Sequence, residues 1–169
     1  MNKRMLMTAL GACALTAAAI PAFAQSSTPS GLSLKVGILW PTDSGVRDAT
    51  SDTWFTAGLE YRFHDMPVTD PNMKSHLSLS VDYASHSSDN IIPVLVNYVG
   101  EQNQTYWLVG IGAAFLHAPG SDETKFAYQA GFGYNFENQG TTPLFVEARY
   151  VGTSESRANA VIVDLGVRF

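Results

Sequence analysis

Residues 159–169, NAVIVDLGVRF, decide the reading of the whole chain. From Val161 every second residue is apolar: Val161, Val163, Leu165, Val167 and Phe169. Asp164 and Arg168 fall on the opposite parity. A period of two is the mark of a β-strand whose faces meet different surroundings. The segment is therefore a strand, apolar on one side and charged on the other, closing on an aromatic residue.

The other end of the chain supplies the setting. Two cations in MNKR precede the uncharged run MLMTALGACALTAAAI, and Ala22-Phe23-Ala24 follows as a small-x-small site. That order predicts a secretory signal peptide spanning residues 1–24 and cleaved after Ala24. The apolar run is too short for a spanning helix. Leu10-Gly11-Ala12-Cys13 resembles a lipoprotein box, but the apolar stretch before it, residues 5–9, is very short. Cleavage leaves 145 residues carrying 8 basic and 15 acidic side chains, a net charge of −7, and removes Cys13, the only cysteine. The exported chain then forms one domain without disulfides, and its acidic balance excludes nucleic acid as a partner. No later stretch approaches the length of a membrane helix.

Working inward from the last strand, the same alternation recurs. After a polar lead-in over 25–31, strands are predicted at 32–40, 54–63, 75–84, 91–99, 105–117, 124–136 and 143–151, with the closing stretch as the eighth. The segments between them are rich in Asn, Asp, Gly, Pro and Ser, as turns require. The 91–99 segment, IIPVLVNYV, is the poorest match, apolar on both faces and interrupted by Pro93. Eight antiparallel strands in an exported chain of this size predict an all-β, up-and-down barrel over residues 32–169.

Two barrels fit such alternation. A soluble periplasmic, lipocalin-like barrel turns its apolar face inward and holds an apolar ligand. An outer-membrane barrel turns the same face to lipid. The polar face here is mostly Gly, Ala, Ser and Gln, small enough for the narrow interior of eight strands. Aromatic residues, among them Trp40, Tyr61, Phe63, Tyr83, Trp107, Phe126, Tyr134 and Tyr150, gather near strand ends, where a membrane–water boundary would lie. Arg168 facing lipid at mid-membrane would cost roughly 2–4 kcal/mol, which pointing it into the lumen avoids. These features favour a transmembrane β-barrel in the outer membrane.

The inward parity gathers Glu60, Arg62, Asp82, Lys125, Glu147, Arg149, Asp164 and Arg168. Unpaired charges in a poorly hydrated lumen are costly, so a paired network that plugs or gates the barrel is expected. Neutralising Glu147 or Arg149 should then lower thermal stability. Trp54, Leu108, Phe145 and Ile162 share that parity and either fill the lumen or line a passage for small apolar molecules.

The stretches GIGAAF (110–115), QAGFGYNF (129–136), LFVEARY (144–150) and VDLGVRF (163–169) resemble the small outer membrane protein β-barrel domain family, related in architecture to the OmpA transmembrane domain, OmpX and OmpW. The resemblance implies a closed eight-stranded barrel among outer-membrane lipids, without cofactor and without enzymatic activity, working as a monomer in a structural, adhesive or narrow-channel role. It also implies that Val161, Val163, Leu165, Val167 and Phe169 form the signal read by the barrel assembly machinery. One departure is HDMPVTDPNMK (64–74), long for the short periplasmic turn expected there.

An enzymatic alternative rests on His86-Ser87-Ser88 with Glu101 downstream, which is similar to the His–Ser–Glu set of lipid A 3-O-deacylase barrels. The pattern departs from that family at Asp89, where Asn is expected, and its parity turns the motif away from lipid. His64, Asp65, Asp70 and His76 flank one loop but lack the tight spacing of metal ligands, so no metal site is expected. In the deacylase reading Ser88→Ala abolishes release of the lipid A acyl chain, and unchanged release in that variant eliminates it.

Overall fold

The computed structural model describes residues 31–49, 53–86, 89–118, 120–136 and 143–169. The predicted signal peptide and Ala24, and also Ser87 and Ser88, lie outside the described residues. Eight strands close in sequence order, every neighbour antiparallel, with the last paired to the first. They are β1 (Leu32–Pro41), β2 (Trp54–Met66), β3 (Met73–His86), β4 (Asp89–Gln102), β5 (Thr105–Ala118), β6 (Ser121–Phe136), β7 (Leu144–Thr153) and β8 (Ala160–Arg168). The closing ladder runs from Ser33 opposite Arg168 to Pro41 opposite Ala160. Closure leaves no strand edge unpaired, which a backbone crossing lipid requires.

The strands outrun their sequence limits in several places. The long segment at 64–74 is mostly strand: β2 runs on to Met66 and β3 starts at Met73, leaving only 67–72 as the connection. A bulge between Arg62 and His64 absorbs one residue, so Phe63 and His64 both lie on the exposed side. Pro93 sits inside β4 without shifting its register. The β3–β4 ladder simply lacks the pairs between Val81–Val94 and Ala84–Ile91, while Pro93 still pairs with Ala114 of β5. A residue with no N–H is tolerated where only one side of the strand must supply a donor.

Gly31 and Phe169 share one end of the barrel with the 67–72 and 103–104 connections. Gln102 and Thr105 pair across a two-residue turn in which Asn103 takes φ 56°, the left-handed conformation that tight hairpins need. At the far end, β1 and β2 are joined through a short helix, α1 (Ser44–Ala49), and a 3-10 turn, Ser156–Ala158, precedes β8.

Face assignment follows from exposure. The apolar stripes point outward: Ile111 is 63% exposed, Leu165 61% and Phe132 58%. Apolar surface continuous around a protein marks contact with a non-aqueous partner, and strands of 9–16 residues suit a bilayer crossing. Aromatic side chains form a belt at each end. Tyr98 with Trp107 and Tyr134 with Phe136, each pair 5.4 Å apart between ring centroids, lie toward the termini, and Tyr128 with Tyr150, at 6.3 Å, toward the far end. The soluble barrel with an apolar interior is overturned by this arrangement.

Lumen-facing glycines make room for the side chains opposite them. A Cβ on Gly37 would collide with the carbonyl of Val163 and with Asp164. The expected outcome for Gly37→Val is a loss of about 1–3 kcal/mol, measured as a lower temperature for conversion of the folded to the unfolded band on a mild-detergent gel.

Candidate functional site: the charge network of the lumen

Alternation places at least one polar residue from each strand on the inner face, and closure brings them within reach of one another. At the centre stands Arg149 of β7, which is 2% exposed. Its Nη1 and Nη2 donate to the two oxygens of Asp82 of β3 at 2.6 and 2.9 Å. Nη2 and Nε also donate to Asp164 Oδ2 of β8, at 2.8 and 3.2 Å. The forked guanidinium satisfies two carboxylates at once, one across the lumen on β3 and one on the neighbouring β8, a geometry lysine could not supply. Nη1 reaches Gln129 Oε1 of β6 at 3.1 Å.

Lys35 of β1 is the second cation. Its Nζ lies 3.1 Å from Glu60 Oε2 of β2 and 3.1 Å from Glu147 Oε1 of β7, and 4.0 Å from Asp82 Oδ1. Glu147 Oε1 is also 3.4 Å from Arg149 Nε. Two cations thus face four carboxylates, and neutral donors complete the coordination. Thr56 Oγ1 donates to Asp164 Oδ1 at 2.9 Å, Ser78 Oγ to Glu60 Oε1 at 2.5 Å, and Tyr106 OH to Glu147 Oε2 at 2.9 Å. Asn97 of β4 accepts from Gln129 Nε2 at 2.6 Å and donates to Ser80 Oγ at 3.1 Å. Every strand of the barrel contributes at least one partner.

The pairing register shows how these side chains fit. Lys35 and Asp82 both lie opposite Gly58, Glu147 and Tyr106 opposite Gly133, and Asn97 and Gln129 opposite Gly110. A long polar side chain is therefore answered by an empty position on its neighbour.

Of the eight charged residues named from parity, Glu60, Asp82, Glu147, Arg149 and Asp164 meet in this network. Arg62, Lys125 and Arg168 do not. Arg62 pairs with Asp65 at 2.7 Å at the terminal mouth, both substantially exposed. Lys125 bridges Glu123 at 2.8 Å and Glu155 at 3.2 Å near the far end. Arg168 pairs with Glu101 at 2.9 Å and lies over the Tyr106 and Phe145 rings, 4.8 and 4.9 Å from their centroids. Parity sets the face of a strand but not the height along the barrel, so residues near strand ends reach the rims instead. Lys35 is missing from that set although it has the inward parity, and Tyr106, a donor to Glu147, reads in sequence as one more strand aromatic.

Among the described residues the buried apolar side chains form three clusters, one of them Leu95, Ala114 and Ala127, and the four named from parity fall in the other two. Leu108 and Phe145 pack with Val99 and Tyr106 toward the termini. Trp54 and Ile162 pack with Leu39, Ala84, Val151 and Ala160 toward the far end. They fill lumen space beside the charges, while the cavity at the terminal mouth reaches Glu60 and Ser78 of the network. The deacylase set is not assembled: His86 ends β3 at the far end, whereas Glu101 lies opposite Lys74 near the termini. Twelve residues of β4 separate Glu101 from Asp89, the register partner of His86, a span of about 40 Å. Among the described residues no group of three His, Cys, Asp or Glu is placed to hold a metal ion.

A closed eight-stranded barrel with an apolar exterior and a charged, filled interior is a transmembrane barrel of the outer-membrane type. The model of the outer membrane protein beta-barrel domain family matches residues 10–169, and the chain belongs to that family. No curated protein matches it. Among solved structures it is similar to the Yersinia pestis outer membrane protein Ail in a phospholipid bilayer nanodisc, at 15% identity and a TM-score of 0.48, covering 82% of this chain and 98% of that one. A second similarity is to Pseudomonas aeruginosa OccK2 (OpdF), at 11% identity and a TM-score of 0.20, covering 85% and 68%.

Arg149→Met should leave Asp82 and Asp164 buried without their cation and destabilise the barrel by about 3–5 kcal/mol. Lys125→Met, at the exposed rim, should cost less than about 1 kcal/mol. Thermal conversion of the folded band compares the two.

Proposed function

We propose that the chain is an integral outer-membrane barrel with a structural or adhesive role, holding a rigid eight-stranded frame in the bilayer and presenting the β1–β2, β3–β4, β5–β6 and β7–β8 connections beyond it. The observation that carries this reading is the lumen itself. Lys35 and Arg149, each 2% exposed, tie β1, β2, β3, β6, β7 and β8 together across the space a conducting pathway would need, and β4 and β5 join through Asn97 on Gln129 and Tyr106 on Glu147. Such a plug favours a brace over a pore, and nothing in its chemistry resembles a nucleophile and base in register. Purified protein in a planar bilayer is expected to give no steady ion conductance. Long-lived single-channel steps that Lys35 or Arg149 substitutions alter would replace the brace with a gated channel.

The apolar parity of β8 supports the reading of Val161, Val163, Leu165, Val167 and Phe169 as the segment recognised by the barrel assembly machinery. Phe169 also closes the barrel at the seam, its N–H donating to the Leu32 carbonyl at 2.8 Å and its carbonyl accepting from Gly31 N–H at 3.0 Å. Phe169→Ala keeps both backbone bonds and removes only the ring. It should lower the amount of heat-modifiable barrel recovered in outer membranes while leaving the melting of the assembled fraction nearly unchanged.

A further inference from the structure

The barrel end that holds Gly31 and Phe169 opens into a cavity of about 640 Å³, within the size range of small-molecule sites. Its wall carries Arg62 and Asp65 of β2, His76 of β3, Glu101 of β4 and Arg168 of β8. Each carboxylate side chain on this surface is already held. Lys35 and Ser78 donate to Glu60, Arg62 Nε donates to Asp65 at 2.7 Å, and Arg168 Nη1 donates to Glu101 at 2.9 Å. A guanidinium has five N–H groups, and among the described residues neither arginine has a second acceptor. Nη1 and Nη2 of Arg62, with Nε and Nη2 of Arg168, are therefore uncommitted. Arg168 is nonetheless fixed in place, lying over the Tyr106 and Phe145 rings.

His76 supplies a third donor. It is 5% exposed, and its Nδ1 is sealed within the protein without a partner. Nε2 also has no partner among the described residues, and it is the nitrogen that keeps surface on the cavity the residue lines. A buried imidazole with neither nitrogen bonded is unusual in a native interior. Arg62 and Arg168 both lie close enough to act on it electrostatically, as do Glu101 and Glu60. Spare N–H groups from β2, β3 and β8 thus face one cavity whose carboxylates are already occupied. Three donor groups call for three acceptor oxygens, which a phosphate has and a carboxylate lacks.

We propose that this mouth binds a tetrahedral phosphate group, either free or as the terminal phosphate of a lipid. One oxygen takes the Arg62 fork, a second the free N–H groups of Arg168, and a third the His76 Nε2–H. Forked, charged donors of this kind are the ones that hold phosphate best. The charge network below the cavity makes this a site of capture at the mouth, not an entrance to a passage.

The test uses the whole barrel in phosphatidylcholine nanodiscs with its histidines nitrogen-labelled, and follows the His76 resonance, assigned by its loss in His76→Gln. Inorganic phosphate is titrated near neutral pH against sodium chloride of equal ionic strength. A saturable shift with phosphate and none with chloride is expected. Arg62→Gln and Arg168→Gln should each weaken phosphate about tenfold, as loss of charge-assisted bonds would give. Asp65→Asn frees Arg62 Nε and removes a facing charge, so it should tighten phosphate about threefold, a gain that damage to the fold could not produce. Nanodiscs carrying phosphatidic acid, with no free phosphate, separate the two sources. A His76 shift there assigns the site to a lipid headgroup, and a shift with inorganic phosphate alone assigns it to a soluble anion. No saturable shift from either source, an equal shift with chloride, unchanged affinity in both arginine variants, or weaker binding in Asp65→Asn would each overturn the proposal.

Discussion

The structure depends on one guanidinium. Arg149 spans the lumen from β7, forks onto Asp82 of β3 and reaches Asp164 of β8, and the remaining polar side chains are disposed around it. A cation in that position must be satisfied from several directions, because the space is dry and water cannot complete its shell. The carboxylates it draws in then exceed the cations, and Lys35 with the hydroxyls of Thr56, Ser78 and Tyr106 makes up the balance. A barrel wall in lipid has no hydrophobic effect pressing its strands together, so cross-lumen bonds of this kind hold opposite walls where an ordinary core would.

That constraint explains much of the composition. Glycine stands opposite the network members because an eight-stranded barrel is just wide enough for its contents, and Gly58, Gly110 and Gly133 give up their volume to Asp82, Asn97 and Tyr106. The apolar residues displaced from a conventional interior are used twice. Most face outward to lipid, and the few that face inward pack in clusters beside the charges. The resulting object is rigid and stoppered, with its chemically open groups at the two mouths. In the reading proposed above, a brace that presents loops is the role such a body performs with least demand on its interior.

The alternation in NAVIVDLGVRF and its seven counterparts carried the fold. Strand number, order and face are properties of a period-two pattern, and in a membrane barrel each strand must show that pattern independently because each crosses between the same two environments. The segment with Pro93 was legible as a strand only by its neighbours, since the tertiary ladder with β5 is what compensates for the gap toward β3. The extent of β2 and β3 was not legible, because the bulge at Phe63 shifts parity and so hides the continuation through His64 and Asp65.

Where no bulge intervenes, as for Glu60, Asp82, Glu147, Arg149 and Asp164, sequence alone determined which side of the strand the charge occupies, because the pleat alternates whatever the strand is paired with. Only the tertiary structure decided which of those charges meet. Height in a barrel comes from the stagger between strands, and stagger is set by closure of β8 onto β1, not by any local pattern. So Arg62, Lys125 and Arg168 share a face with Arg149 yet pair at the rims, and Lys35, unremarkable in its own strand, becomes the second cation of the core. His86 and Glu101 differ in the same way: a short interval in the chain becomes the full length of a strand once β3 and β4 are laid side by side.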